Sequence, residues 1–151
     1  MAHCAQCGAP LAEGSTCIEY LHELLALEAR VGGGPGELTH FLAVAAYNLQ
    51  HPSMFTPAVL AGLRTTFGDV LAGRATIADA RQRARAGAEG AVRVIRRPDT
   101  PIPPDEVTVL RAWPTRWSVT VRDVCRVSPR DYAGAVRRWA TAVGVELPES
   151  W

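Results

Sequence analysis

Apolar positions recur at helical spacing along most of the chain. Between Cys17 and Arg30 (CIEYLHELLALEAR), Ile18, Leu21, Leu24, Leu25 and Leu27 follow the 3.6-residue period, and the glycine-rich VGGGPG that follows stops the helix. A short turn leads to a second apolar run, Leu38 to Gln50, which Pro52 ends by pushing the residue before it out of the α region. Thr56-Pro57 supplies an N-cap and a proline at the first helical position for a third helix to about Ala72. Thr76 with Asp79 three residues on opens a fourth, running to about Glu89.

The pattern then changes. Residues 96–106 (RRPDTPIPPDE) hold four prolines and read as an ordered loop or wrapping segment. Val107–Trp113 and Trp117–Val124 fit short strands or short helices equally well. Ser128-Pro129 with Asp131 caps a last helix to about Val143, with Tyr132, Val136 and Trp139 on one face. These elements predict a mainly α protein: a single helical domain over residues 1–151, with four to six helices and an N-terminal cysteine-rich zinc knuckle (1–17) packed on an antiparallel helical hairpin.

Bulk properties narrow the class. A chain of 151 residues with 48% apolar content buries an ordinary core. The net charge of +1 hides an asymmetry: residues 1–60 carry one arginine against five acids, and residues 61–100 carry eight arginines against four acids. No lysine occurs, a usage that fits GC-rich codon bias. Arg81, Arg83, Arg85, Arg93, Arg96 and Arg97 form the one basic cluster, but Arg81 and Arg83 point to different helix faces and no aromatics are interleaved. A solvated face is expected there, not a nucleic-acid surface. No signal-like segment and no apolar stretch of membrane-spanning length is present, so a cytoplasmic protein is expected, with its four cysteines as thiols or metal ligands.

Candidate chemistry begins at Cys4-Ala-Gln-Cys7-Gly8. Two thiolates three residues apart can grip one tetrahedral ion, and the glycine tolerates the positive-φ turn that aims backbone N–H groups at sulfur. Cys17 opens a helix whose N-terminal partial charge favours a thiolate. Cys125, in the apolar context DVCRV, reads as a buried inert thiol.

His40 and His51 lie roughly 16 Å apart along one helix at ~1.5 Å per residue, so they cannot share an ion. In an antiparallel hairpin, positions summing to about 68 face each other. That places His51 beside Cys17 and His40 beside Glu28. Cys4, Cys7, Cys17 and His51 are therefore the expected ligands of a closed, structural zinc site; a redox pair at Cys4 and Cys7 is the competing reading.

Glu28, His40 and Tyr47 form a second constellation, with Tyr20 as a further partner across the seam. They would be catalytic residues only if the protein is an enzyme; otherwise Glu28 and His40 are a buried pair satisfying its own hydrogen bonds. His22 is expected opposite Ala45 and Ala46. The four tryptophans, 113, 117, 139 and 151, are expected in a C-terminal core.

The words Cys4-x-x-Cys7-Gly8-Ala9, Cys17 with Glu23 and Glu28, and His40-x-Leu42-x-Val44-x-x-Tyr47-x-x-Gln50-His51-Pro52 resemble a bacterial family of small proteins classed only as a domain of unknown function. Trp117-Ser-Val-Thr-Val-Arg-Asp123-Val124 and Arg138-Trp139 are similar to the end of that family. The resemblance implies that Cys4, Cys7, Cys17, His40, Tyr47, Gln50 and His51 share a site region, and it implies no reaction. Two functions follow as expectations. One is a small zinc-stabilised helical protein that binds a protein or small-molecule partner. The other is a small metal-dependent or His/Glu acid-base enzyme of a specialised biosynthetic pathway.

Overall fold

Three of the helix starts use one local device. Glu19 accepts the backbone N–H of Thr16, Asp79 that of Thr76 at 2.8 Å, and Asp123 that of Thr120 at 2.8 Å. Each acid three residues into its helix satisfies an N–H that would otherwise be orphaned. In the computed structural model, which describes residues 2–34, 37–89 and 112–148, these caps open α1 (Cys17–Arg30), α4 (Ile77–Glu89) and the short α5 (Val121–Val124). The others are α2 (Leu38–Gln50), α3 (Pro57–Leu71) and α6 (Tyr132–Glu146).

Proline sets three of the boundaries. Pro57 is the first residue of α3, Pro52 starts a single 3₁₀ turn after α2, and Pro129 starts another that leads into α6. Ahead of α1, β1 (Ala2–His3) pairs antiparallel with β2 (Pro10–Leu11), with Ala2 opposite Leu11 and His3 opposite Pro10. The protein is thus mainly helical, with one two-stranded ribbon among the described residues.

The helix bounds agree closely with the apolar periodicity, but the buried face of α1 is rotated from the one expected. Tyr20, Leu21, Leu24, Leu27 and Glu28 are buried, Ile18 is 42% exposed, and His22 is exposed instead of facing Ala45 and Ala46. Tyr20 also faces the ribbon, where its hydroxyl donates to the Pro10 carbonyl at 3.3 Å.

α2 is the central element. It packs most closely against α6 and next against α3, while α1 lies against α5 and α3 against α4. Ala43, Ala45 and Ala46 of α2 and Ala135 and Ala140 of α6 are buried, and short side chains let helix axes approach. Gln50, fully buried, ties the last turn of α2 to the C-terminal half: its amide donates to the Val119 carbonyl at 2.7 Å and accepts the Trp139 indole N–H at 3.2 Å. Trp113 donates to the Leu49 carbonyl at 2.6 Å. Trp113, Trp117 and Trp139 are all buried.

Among the expected basic cluster, Arg83 pairs with Asp69 at 2.9 Å, bridging α4 to α3. The wrapping segment 96–106, residues 107–111, Arg93, Arg96, Arg97 and Trp151 lie outside the described residues. No described helix is long and apolar enough to cross a membrane.

Gln50→Ala should strand the Trp139 N–H and the Val119 carbonyl inside the core and leave a cavity. The expected cost in urea unfolding is about 2–4 kcal/mol. Asp69→Ala, at a solvent-exposed pair, should shift the midpoint far less. Similar midpoints for the two variants would contradict the assigned role of Gln50.

Candidate metal centre

The N-terminal turn is built for close approach of backbone to sulfur. The Gly8 N–H donates to the Cys4 carbonyl and the Cys4 N–H to the Ala9 carbonyl, each at 2.9 Å. Gly8 has φ +78°, which costs a glycine little. A Cβ there would meet the Thr115 carbonyl oxygen at 3.2 Å and the Arg116 Cα at 3.3 Å, so segment 115–117 lies directly over the turn. The Trp117 N–H donates to the Cys7 carbonyl at 3.3 Å. Gln6 reaches the other way and accepts the Ser53 N–H at 3.1 Å.

Two further chain segments bring donor atoms to this turn. Cys17, the first residue of α1, places its sulfur 3.6 Å from that of Cys7. His51, just past α2, places Nε2 3.6 Å from the Cys4 sulfur. One donor atom from each of Cys4, Cys7, Cys17 and His51 lies within 4.8 Å of the others, and all but the half-buried Cys4 are buried. Such a group can hold a metal ion. The Cys7–Cys17 separation is far beyond a disulfide bond of about 2.05 Å.

The imidazole is oriented by its other nitrogen. Nδ1 lies 2.7 Å from the Tyr47 carbonyl oxygen; an oxygen there can only accept, so Nδ1 carries a proton and donates it, and Nε2 is the nitrogen turned toward the sulfurs. The Tyr47 ring stacks on the same imidazole with centroids 4.0 Å apart. Burial, and then the charge of Cys17, Cys4 and Cys7, pushes the Tyr47 phenol above its ordinary value. Among the sulfurs, the hydrogen bond with Cys17 pulls the Cys7 thiol down, and the reciprocal bond with Cys7, together with burial, pushes Cys17 up. Two sulfurs this close share a proton unless a cation replaces it.

The opposite end of α2 holds the second constellation. Glu28, 3% exposed, accepts from His40 Nδ1 at 2.7 Å on one oxygen and from the Tyr132 hydroxyl at 2.7 Å on the other. Tyr47 does not join this group; it stacks on His51 at the cysteine end, two helical turns from His40. Tyr20 is likewise drawn away to the ribbon. Tyr132 completes the group, a contact with α1 that nothing in the local pattern of α6 signals. Cys125 is buried against Glu23, and burial pushes its thiol up to about 11.

Residues 2–147 match a family described only as a family of unknown function (DUF5946), and the chain belongs to it. No curated protein and no solved structure matches the chain.

Gly8→Ala combines an unfavourable φ with contacts against segment 115–117, whereas Gly14, at φ +75°, has nothing within 4 Å of its Cβ position. Gly14→Ala should therefore cost about 1 kcal/mol from the backbone alone and Gly8→Ala about 1–3 kcal/mol more. Chemical denaturation of the two variants checks this, and equal losses would contradict the clamp over the turn.

Proposed function

We propose that Cys4, Cys7, Cys17 and His51 hold one zinc ion whose role is structural, fastening the N-terminal ribbon to the junction of α1 and α2 in a protein that binds a partner. The observation that carries this reading is four donor atoms within 4.8 Å of one another, two of whose separations have the length of a zinc tetrahedron's edge. With Zn–S bonds of about 2.3 Å and a Zn–N bond of about 2.05 Å, tetrahedral edges are about 3.8 Å between sulfurs and about 3.6 Å from sulfur to nitrogen. Cys7 to Cys17 and Cys4 to His51 are both 3.6 Å.

Four protein donors fill a tetrahedron and leave no exchangeable position, which is the arrangement of structural sites. When bound, the ion supplies the positive charge that lets neighbouring sulfurs stay ionised. The chain's own part is orientation: Gly8 shapes the turn, the Tyr47 carbonyl sets the His51 tautomer, and the helix start presents Cys17. Zinc binding of this type is worth on the order of 10 kcal/mol, as large as the whole stability of a typical domain. Loss of the metal is accordingly a folding event and not a local one.

A second reading, a small acid-base enzyme, is favoured by one observation: Glu28 holds His40 through Nδ1 with a 2.7 Å contact, the way a base is oriented for proton transfer. In that reading His40 is the base and Glu28 its positioning residue. Tyr47 takes no part in it, because its ring stacks on His51.

Elemental analysis of protein purified without added metal should find about one zinc per chain. Cys17→Ser and His51→Ala should lose it, and His40→Ala should keep it. A metal-free parent protein, or loss of zinc with His40, would contradict the assignment.

A further inference from the structure

Beside His40, between α2, α3 and α4, lies a cleft of about 320 Å³ that the zinc site does not touch. Its walls are mostly apolar: Phe41 and Val44 from α2, Leu63 from α3, and Ile77, Ala80 and Ala84 from α4. A second cleft of about 320 Å³ adjoins it, sharing Phe41, Leu63, Ala80 and Ala84. Clefts of this size suit small organic molecules, whose affinity comes from apolar walls and whose orientation comes from a few placed polar groups.

His40 is such a group. Its side chain is 24% exposed, and its one hydrogen bond among the described residues is at Nδ1, to Glu28. With Nδ1 held on the Glu28 carboxylate, Nε2 is the ring nitrogen left to meet a ligand. The ring cannot easily turn away. Glu28 is buried, and its other oxygen is occupied by Tyr132, so rotation of His40 would strand a buried charge with a single partner.

The charges around the cleft select among ligands. Among the described residues Glu37 and Arg81 line the cleft with opposite charges, Arg83 is already engaged by Asp69 at 2.9 Å, and Glu28 lies behind His40. An anion would therefore meet no net positive charge among these residues. A neutral molecule that forms a hydrogen bond needs none.

We propose that this cleft binds a small, neutral, mostly apolar molecule bearing a hydroxyl group, a phenol or alcohol, with that hydroxyl hydrogen-bonded to His40 Nε2. The site does not rest on the zinc reading, and binding precedes any chemistry that His40 performs.

The test is a titration of ¹⁵N-labelled protein, used as isolated, with 2-naphthol and, separately, naphthalene. Saturable shifts should appear at the Phe41, Leu63 and Ala84 amides and, for 2-naphthol, at the His40 ring nitrogens. Naphthalene should bind about tenfold more weakly, the effect of one hydrogen bond. His40→Phe should bring 2-naphthol down to the affinity of naphthalene. Leu63→Trp, which fills the cleft while sparing the Glu28 network, should abolish both. No saturable shift at the cleft, equal affinity for the two probes, or binding that survives Leu63→Trp would each overturn the proposal.

Discussion

The junction of the N-terminal turn with the ends of α1 and α2 is the constraint on which the rest of the architecture depends. It joins Cys4 to His51 across 47 positions and Cys7 to Cys17 across 10. Closing such loops costs conformational entropy, and a two-stranded ribbon of two-residue strands cannot repay it alone. The proposed zinc supplies the missing free energy at the one place where the three segments meet. Segment 115–117 lies across Gly8, so the same junction also positions the C-terminal half.

Because α2 ends at this junction, its register is set there, and the register determines what happens at its other end. His40 is delivered to Glu28, and α6 completes the group through Tyr132. Gln50, one residue before His51, anchors Trp139 of the same α6 and the Val119 carbonyl. The sequence Gln50-His51-Pro52 thus contains a core tie, a metal donor in the proposed site, and a helix stop in consecutive positions. His40 in α2 and His51 just past its end belong to separate environments, the first against a buried carboxylate beside an apolar cleft, the second among sulfurs.

Much of this was legible in the sequence because it depends on short-range rules. Helical periodicity, Thr-x-x-Glu and Thr-x-x-Asp caps, and prolines at boundaries locate α1 to α4 closely, and antiparallel arithmetic brings Cys17 to His51 and Glu28 to His40. What escaped depends on long-range packing. His22 and Ile18 turn outward because the buried stripe of α1 follows Tyr20, Leu24 and Leu27, a choice between adjacent faces that local spacing leaves open. Tyr47 stacks on His51 one turn ahead instead of joining His40, and Tyr20 reaches the ribbon. The close packing of α2 on α6 and the Tyr132 contact with Glu28 join residues about a hundred positions apart, for which helical spacing carries no information.

The most direct test of the central claim is X-ray absorption at the zinc edge on the isolated protein. The account predicts a first shell of three sulfurs at about 2.3 Å and one imidazole nitrogen at about 2.0–2.1 Å, with no bound water. A shell dominated by oxygen or nitrogen, or one with fewer than three sulfurs and an open position, would contradict it.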